Sequence, residues 1–252
     1  MKVHFVGAGP GDPELLTCKA NRLLREAQVC IFAGSLVSPG VLALIGARAE
    51  RHDSSSMSLS EIIAVYVEAR SRGLDVVRLH SGEPSIYGAI AEQMDELDRL
   101  GIEYDIVPGI SSFQAAASVL RAELTAPEVS QTVILTRARG RTPLPPSQEL
   151  AKLAVSRATL CIFLSTGGLE EVVAALLPEY GAACPAAVVY HATWPDQKVI
   201  RTRLEDLAAA AGAAGLRKTA IILVGEALAR SATRSRLYDS GFSHEYRKVG
   251  RP

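Results

Sequence analysis

The residues best suited to chemistry lie in three short runs of small side chains. Gly7-Ala8-Gly9-Pro10-Gly11-Asp12-Pro13 and Ser81-Gly82-Glu83-Pro84-Ser85-Ile86-Tyr87-Gly88 each follow an apolar run and precede a helical pattern; Val107-Pro108-Gly109-Ile110-Ser111-Ser112 follows a third apolar run. Glycine lets a backbone approach a ligand closely, and open α/β sheets bind ligands beyond the carboxyl ends of their strands. Three such loops are therefore expected to gather at one sheet edge and line a binding crevice. The first loop fits neither common nucleotide pattern: Asp12 stands where G-x-G-x-x-G needs glycine, and no Gly-Lys-Ser/Thr ending is present. Asp12 begins a helical stretch, where a carboxylate caps. No Ser/His/Asp or Cys/His spacing suggests a nucleophile, and no clustered ligands suggest a metal. His4, His80 and His191 each lie beside a strand, which favours core or turn roles; His80 and His191 also flank the crevice loops.

These loops need a sheet to hold them. The first half offers strands at 2–6, 28–33, 75–79 and 103–107. Between the first two, Leu16, Ala20, Leu23, Leu24 and Ala27 share one helical face. Ser58-Leu59-Ser60-Glu61 has capping-box spacing and opens a second helix through Ile62, Ile63, Tyr66 and Val67. Alternating strands and helices predict an α/β fold with a mostly parallel sheet covered on both faces. After Pro127 come strands at 132–136, 159–164, 186–190, 197–202 and 219–224, with helices near 147–155, 168–177 and 204–211. Residues 137–147 read as a long exposed loop, and the boundary between the halves falls in 112–130. Trp194, the only tryptophan, sits in a Thr-Trp-Pro-Asp turn, where packing is the expected role.

Composition narrows the classes. The chain has 252 residues, 27 Lys+Arg against 27 Asp+Glu, and 48% hydrophobic residues. Such a chain can build a sizeable core, and it lacks the charge excess of a disordered segment. A dedicated nucleic-acid binder would carry a basic surplus. An acidic small-molecule ligand would need local basic contacts. The four cysteines, at 18, 30, 161 and 184, have no C-x-x-C spacing and read as reduced structural thiols. No segment resembles a signal peptide or a spanning helix, so a cytoplasmic protein with no membrane contact is expected.

GAGPGDPELLT, SGEPSIYG, VPGISS, YHATWPDQK and TAIILVGEAL occur in the order found in the tetrapyrrole methyltransferases, the class III methyltransferases that use S-adenosylmethionine (SAM). The resemblance covers nearly the whole chain. Phe32-Ala33-Gly34-Ser35-Leu36-Val37 and the tail, Ser235-Arg236-Leu237-Tyr238 with Gly241-Phe242-Ser243-His244-Glu245-Tyr246-Arg247, resemble the branch that methylates precorrin-4 at carbon 11. Uroporphyrinogen methylases usually carry a proton-handling aspartate where Ala33 stands. Its absence weighs against that substrate.

The resemblance implies two α/β domains, 1–115 and 125–252, with a ligand cleft between them, normally in a homodimer. It assigns Pro10, Ser81, Gly82, Glu83, Ile86, Ser111 and Ser112 to SAM, together with Leu164, Ala192 and Ala220. Many relatives have aspartate at Glu83 and methionine at Leu164; the latter conserves volume at an adenine wall. The implied activity is methyl transfer to carbon 11 of precorrin-4, giving precorrin-5, in cobalamin synthesis. A neighbouring corrin methylase, the cobalt-bearing substrate and a non-catalytic SAM sensor are the alternatives. No metal is expected, and no catalytic residue is assigned. Precorrin-4 is a polycarboxylate, so Arg137, Arg139 and Arg141, which alternate before Pro143, are its candidate contacts. Lys198, Arg201 and Arg203 rank second.

Overall fold

The computed structural model describes residues 1–140, 142–229, 235 and 240–248. The chain forms two compact units, Met1–Ala116 with His191–Lys198, and Ala117–Tyr190 with the described residues from Val199 onward. The expected division into 1–115 and 125–252 is continuous in sequence, whereas the first unit here takes in a distant segment. Residues 117–124 also group with the second unit.

In the first unit, β1 (Lys2–Gly7), α1 (Cys18–Glu26), β2 (Val29–Phe32), α2 (Pro39–Leu42) and β3 (Glu50–Asp53) are followed by α3 (Leu59–Ser71), β4 (Val76–His80), α4 (Ala91–Leu100) and β5 (Glu103–Val107). α5 (Ser112–Leu120) runs across the boundary. The strand order is β3-β2-β4-β1-β5, and every pairing is parallel. Two apolar clusters cover the sheet. Val3, Phe5, Val29, Ile31 and Val76 pack with Ile62 and Tyr66 of α3 and Leu97 of α4. Val6, Cys30, Val77, Leu79 and Val107 pack with Ala20 and Leu24 of α1 and Val41 of α2. Strand alternation produces this split, since neighbours along β4 point to opposite faces.

Local chemistry sets the helix starts. Thr17 Oγ1 accepts from the Ala20 amide at 3.1 Å, so α1 begins at Cys18 and leaves Leu16 in extended backbone. The Ser58–Glu61 capping box forms as its spacing predicts, with Glu61 Oε2 accepting from the Ser58 amide at 2.7 Å. β3 has no apolar pattern to announce it. Its residues, Glu-Arg-His-Asp, make an edge strand whose register is set by β2.

The second unit contains β6 (Val133–Arg137), α6 (Leu150–Ala154), β7 (Thr159–Phe163), α7 (Leu169–Tyr180), β8 (Pro185–Tyr190), β9 (Lys198–Arg203), α8 (Leu207–Ala213) and β10 (Ala220–Val224). Its order is β6-β7-β10-β8-β9. β6 and β7 are parallel, but β10 runs antiparallel to both β7 and β8, so this sheet is mixed. Leu160, Ile162, Val188 and Ile222 pack with Leu176 of α7 and Leu207 of α8. Among the described residues, no helix is long and apolar enough to cross a membrane.

Candidate functional site

β4, β1 and β5 are neighbours, so their carboxyl ends bring the three small-residue loops together. The Ala8 amide donates to His80 O at 2.7 Å, and Gly9 and Gly82 exchange backbone hydrogen bonds at 3.2 and 2.9 Å. The approach is too close for side chains. A Cβ on Gly109 would lie 2.1 Å from Gly82 O and 2.8 Å from Gly7 Cα. One on Gly7 would lie 2.6 Å from Gly109 N.

Glu83 latches the second loop to the third. Its Oε2 accepts from the Gly109 amide at 2.8 Å, and its Oε1 from the Ser85 amide at 3.0 Å and hydroxyl at 2.7 Å. Partial burial pushes this carboxyl up, but the hydrogen bonds from Ser85 and Gly109 prevail and hold it below the usual carboxylate range. Ser111 is buried and immediately precedes α5, with its amide donating to Gln114 Oε1 at 2.9 Å.

The segment 191–197 closes over the first loop. Trp194 Nε1 donates to Pro10 O at 2.8 Å, and the Asp12 amide donates to Thr193 Oγ1 at 3.0 Å. A Cβ on Gly11 would meet Trp194 Cδ1 at 2.0 Å. The tryptophan therefore packs on the loop, as its turn suggested. His191 stacks on Trp194 with ring centroids 4.3 Å apart, and its Nδ1 meets Asp196 Oδ1 at 2.9 Å. In the sequence, His-x-x-x-x-Asp around a turn is the one signal of this Asp196 contact. Asp12 Oδ1 accepts from the Glu14 amide at 2.9 Å and is a cap. His4 is held by Asp105 at 2.6 Å, away from these loops on the β1–β5 pair.

The first unit thus gathers Pro10, Ser81, Gly82, Glu83, Ile86, Ser111, Ser112 and Ala192. The second unit gathers its own set. Leu164 follows β7, and Ala220 opens β10 opposite Tyr190. Thr166 Oγ1 donates to Ala220 O at 3.2 Å, and the Ala138 amide donates to Ser165 Oγ at 2.7 Å. Leu164 is 76% exposed. Its φ is +54°, and Thr219 beside Ala220 has +56°. Tyr87, Ala89, His191 and Thr193 of the first unit are also left-handed, at 55°, 49°, 47° and 71°. Arg121, Glu128 and Arg157, outside these sets, are left-handed as well; such conformations occur in turns as well as at ligand clamps.

Of the three alternating arginines, Arg137 is the last residue of β6. Arg137 folds onto its own loop and donates to Thr142 O at 3.2 Å and Pro143 O at 2.7 Å. Arg139 is exposed, and Arg141 lies outside the described residues. On β9, Arg201 and Arg203 share a face while Lys198 falls on the other. Arg201 Nη2 donates to Leu120 O, and Arg203 pairs with Glu205 at 3.0 Å. In the tail, Arg236, Leu237 and Tyr238 lie outside the described residues; His244 and Arg247 form a small turn with backbone bonds of 2.8 and 3.0 Å. Next to Ala33, the Gly34 amide donates to Asp53 at 3.0 Å, and Asp53 also accepts from the Ser55 amide at 2.9 Å. The Ser55 and Gly34 amides hold its carboxyl low, so it caps and is a poor base. Among the described residues, no three His, Cys, Asp or Glu side chains group as metal ligands.

Three small-residue loops meeting at the carboxyl ends of adjacent parallel strands are the place where open α/β proteins bind small ligands. The chain's α/β units and loop sequences are those of a methyltransferase fold. The sequence profile of the Tetrapyrrole (Corrin/Porphyrin) Methylases matches residues 2–208, and the chain belongs to that family. It is 51% identical to a cobalt-precorrin-4 C(11)-methyltransferase of Methanocaldococcus jannaschii over 249 residues, 98% of this chain and 96% of the relative. It is 48% identical to a precorrin-4 C(11)-methyltransferase of Pseudomonas aeruginosa, over 98% of this chain and 99% of the other. The solved structure of a cobalt precorrin-4 methyltransferase superposes with a TM-score of 0.88 at 44% identity, covering 90% of this chain and 96% of that one.

Proposed function

We propose that this protein transfers a methyl group from SAM to carbon 11 of precorrin-4, giving precorrin-5, in cobalamin synthesis. The observation that carries the reading is the three-loop glycine junction, held by Glu83 and closed by Trp194, in a chain about half identical to enzymes named for this step. The junction leaves room for a donor such as SAM at Gly82, where a Cβ would meet nothing nearer than 3.6 Å, while Gly7 and Gly109 pack backbone against backbone to hold the loop in place. Pro10, Ser81, Gly82, Glu83, Ile86, Ser111, Ser112 and Ala192 are the proposed donor contacts here, and Leu164 and Ala220 are proposed as further ones.

A sulfonium methyl is already electrophilic, so the chain need supply neither a nucleophile nor a Lewis acid. The new bond forms from the tetrapyrrole carbon as the S–CH3 bond breaks, and the charge left on the ring system is released as a proton. Positioning is the protein's main contribution, and in-line placement is worth roughly 7–11 kcal/mol. Arg139 and Arg141 remain the proposed carboxylate contacts. Arg137 joins them only by releasing its own loop carbonyls. We also propose a cytoplasmic homodimer.

Relatives named for the metal-free and the cobalt-bearing substrates are almost equally similar. The test is incubation of purified protein and SAM with each form, followed by product mass. A gain of one methyl and release of S-adenosylhomocysteine supports the reading. Donor binding without transfer to either form defeats it.

A further inference from the structure

β4 carries two polar side chains that the methyl-transfer reading does not use. Alternation sends Val77 and Leu79 to one face and Val76, Arg78 and His80 to the other, where α3 and α4 pack. Arg78 and His80 are only 7% and 6% exposed. Arg78 Nε donates to Gln93 Oε1 at 3.2 Å, and its Nη1 to Ser54 Oγ at 2.9 Å. Gln93 Oε1 also accepts from the Tyr66 hydroxyl at 2.8 Å.

Among the described residues, no carboxylate pairs with Arg78. The titratable groups that act on it are Tyr66 of α3 and Cys30 of β2, and burial pushes both up, Cys30 to about 12, so both are neutral. His80 feels only Arg78; burial first, and that cation second, push it down to about 3, so its imidazole is neutral. Its Nε2 is buried without a hydrogen-bond partner. A buried cation without a counter-charge and an orphaned imidazole are each costly. Proteins keep such groups where a ligand completes them.

The cluster is tied to the candidate site. His80 is the residue before Ser81, and its carbonyl accepts from Ala8 at 2.7 Å. Gln93 Nε2 donates to Ala89 O at 3.0 Å, anchoring the strained end of the second loop. We propose that Arg78 and His80 form a carboxylate-binding subsite, the guanidinium supplying charge and the neutral imidazole an N–H donor. Resting on the proposed methyl transfer, two ligands can bring this chemistry: an acidic side chain of the tetrapyrrole, or the amino-acid carboxylate of the donor.

The test is His80→Phe, with His80→Leu carrying the same readouts should the first not fold. Removing an orphaned polar atom leaves the thermal midpoint equal to or above the parent's. A purely structural histidine stops there. A tetrapyrrole subsite adds a KM for precorrin-4 raised at least about tenfold, with S-adenosylhomocysteine affinity within about twofold. A donor subsite instead weakens S-adenosylhomocysteine at least about tenfold and spares 5′-methylthioadenosine, which has no carboxylate. Arg78→Met should repeat whichever pattern is found, and Arg78→Lys should restore part of it. Unchanged values for all three ligands, or equal weakening of both nucleosides through a distorted loop, overturn the proposal. A parent that binds S-adenosylhomocysteine but methylates no precorrin defeats the functional reading alone; the two nucleoside affinities then decide the subsite.

Discussion

The two units present candidate residues in opposite ways. In the first, an all-parallel sheet aligns three loops so tightly that glycine is required where they touch, and carboxylate, indole and amide groups latch them. In the second, a mixed sheet presents an exposed left-handed leucine, and its basic side chains are partly spent on carbonyls or on a surface carboxylate. The first arrangement is preorganised by backbone geometry; the second depends on long, hydrated side chains. Preorganised backbone suits a ligand held the same way every turnover. Flexible arginines suit carboxylates that arrive at varied positions.

The sharpest way to break this contrast is Gly109→Ala. Its Cβ would sit 2.1 Å from Gly82 O, so the junction must open. The expected cost is roughly 3 kcal/mol in urea unfolding, with donor binding lost. Gly140→Ala in the second unit meets nothing within 4 Å and should stay within about 0.5 kcal/mol of the parent. Similar costs for both would erase the distinction.

Gly82→Leu separates binding from folding. Gly82 has a φ of +62°, but a Cβ there meets nothing nearer than 3.6 Å. The strain is about 1–2 kcal/mol, small enough to leave the circular dichroism unchanged. SAM binding should disappear by calorimetry. Retained affinity would remove this loop from the donor site.

Replacing Arg137, Arg139 and Arg141 by glutamine tests the second unit. Precorrin-4 KM should rise at least about tenfold, or about 1.4 kcal/mol, with SAM affinity within about twofold. The effect should shrink as salt screens charges over ~8–10 Å. Equal KM at low salt would return these arginines to a solvated loop.

The smallest expected effect is Glu83→Gln. The hydrogen bonds to Glu83 depress its carboxyl in the folded state, so their stabilisation is present above the ordinary carboxylate pKa. It is lost as pH falls through the lower folded value. At neutral pH the variant should be less stable by about 1 kcal/mol, after allowance for solvent. The two denaturation midpoints should converge in acid. A gap that persists there would mean that shape, not charge, makes the latch.

Much of the fold is legible in the sequence. Ser58 and Glu61 announced the start of α3 because a capping box is local chemistry. Nine of the strands are recognisable, most of them from buried apolar runs; β9 is largely exposed and shows only through Val199-Ile200, whereas β3 is polar and exists through its pairing with β2. The three loops were recognisable as small-residue runs, but the Gly7–Gly82–Gly109 contact was not, since it depends on strands distant in sequence lying side by side. The alternation of Arg137, Arg139 and Arg141 is legible in the sequence, but the bonds from Arg137 to Thr142 O and Pro143 O are not, since they depend on how the chain turns after β6.

By itself, then, the sequence determined the periodicities, the caps and the order of family motifs, all of which rest on interactions within a few residues. Only the tertiary structure decided that residues 191–198 join the first unit, that Glu83 holds Gly109, and that Arg78 and His80 are buried without an anion. The physical reason is desolvation and close approach. Both depend on what the rest of the chain places around a residue, and no local pattern encodes that.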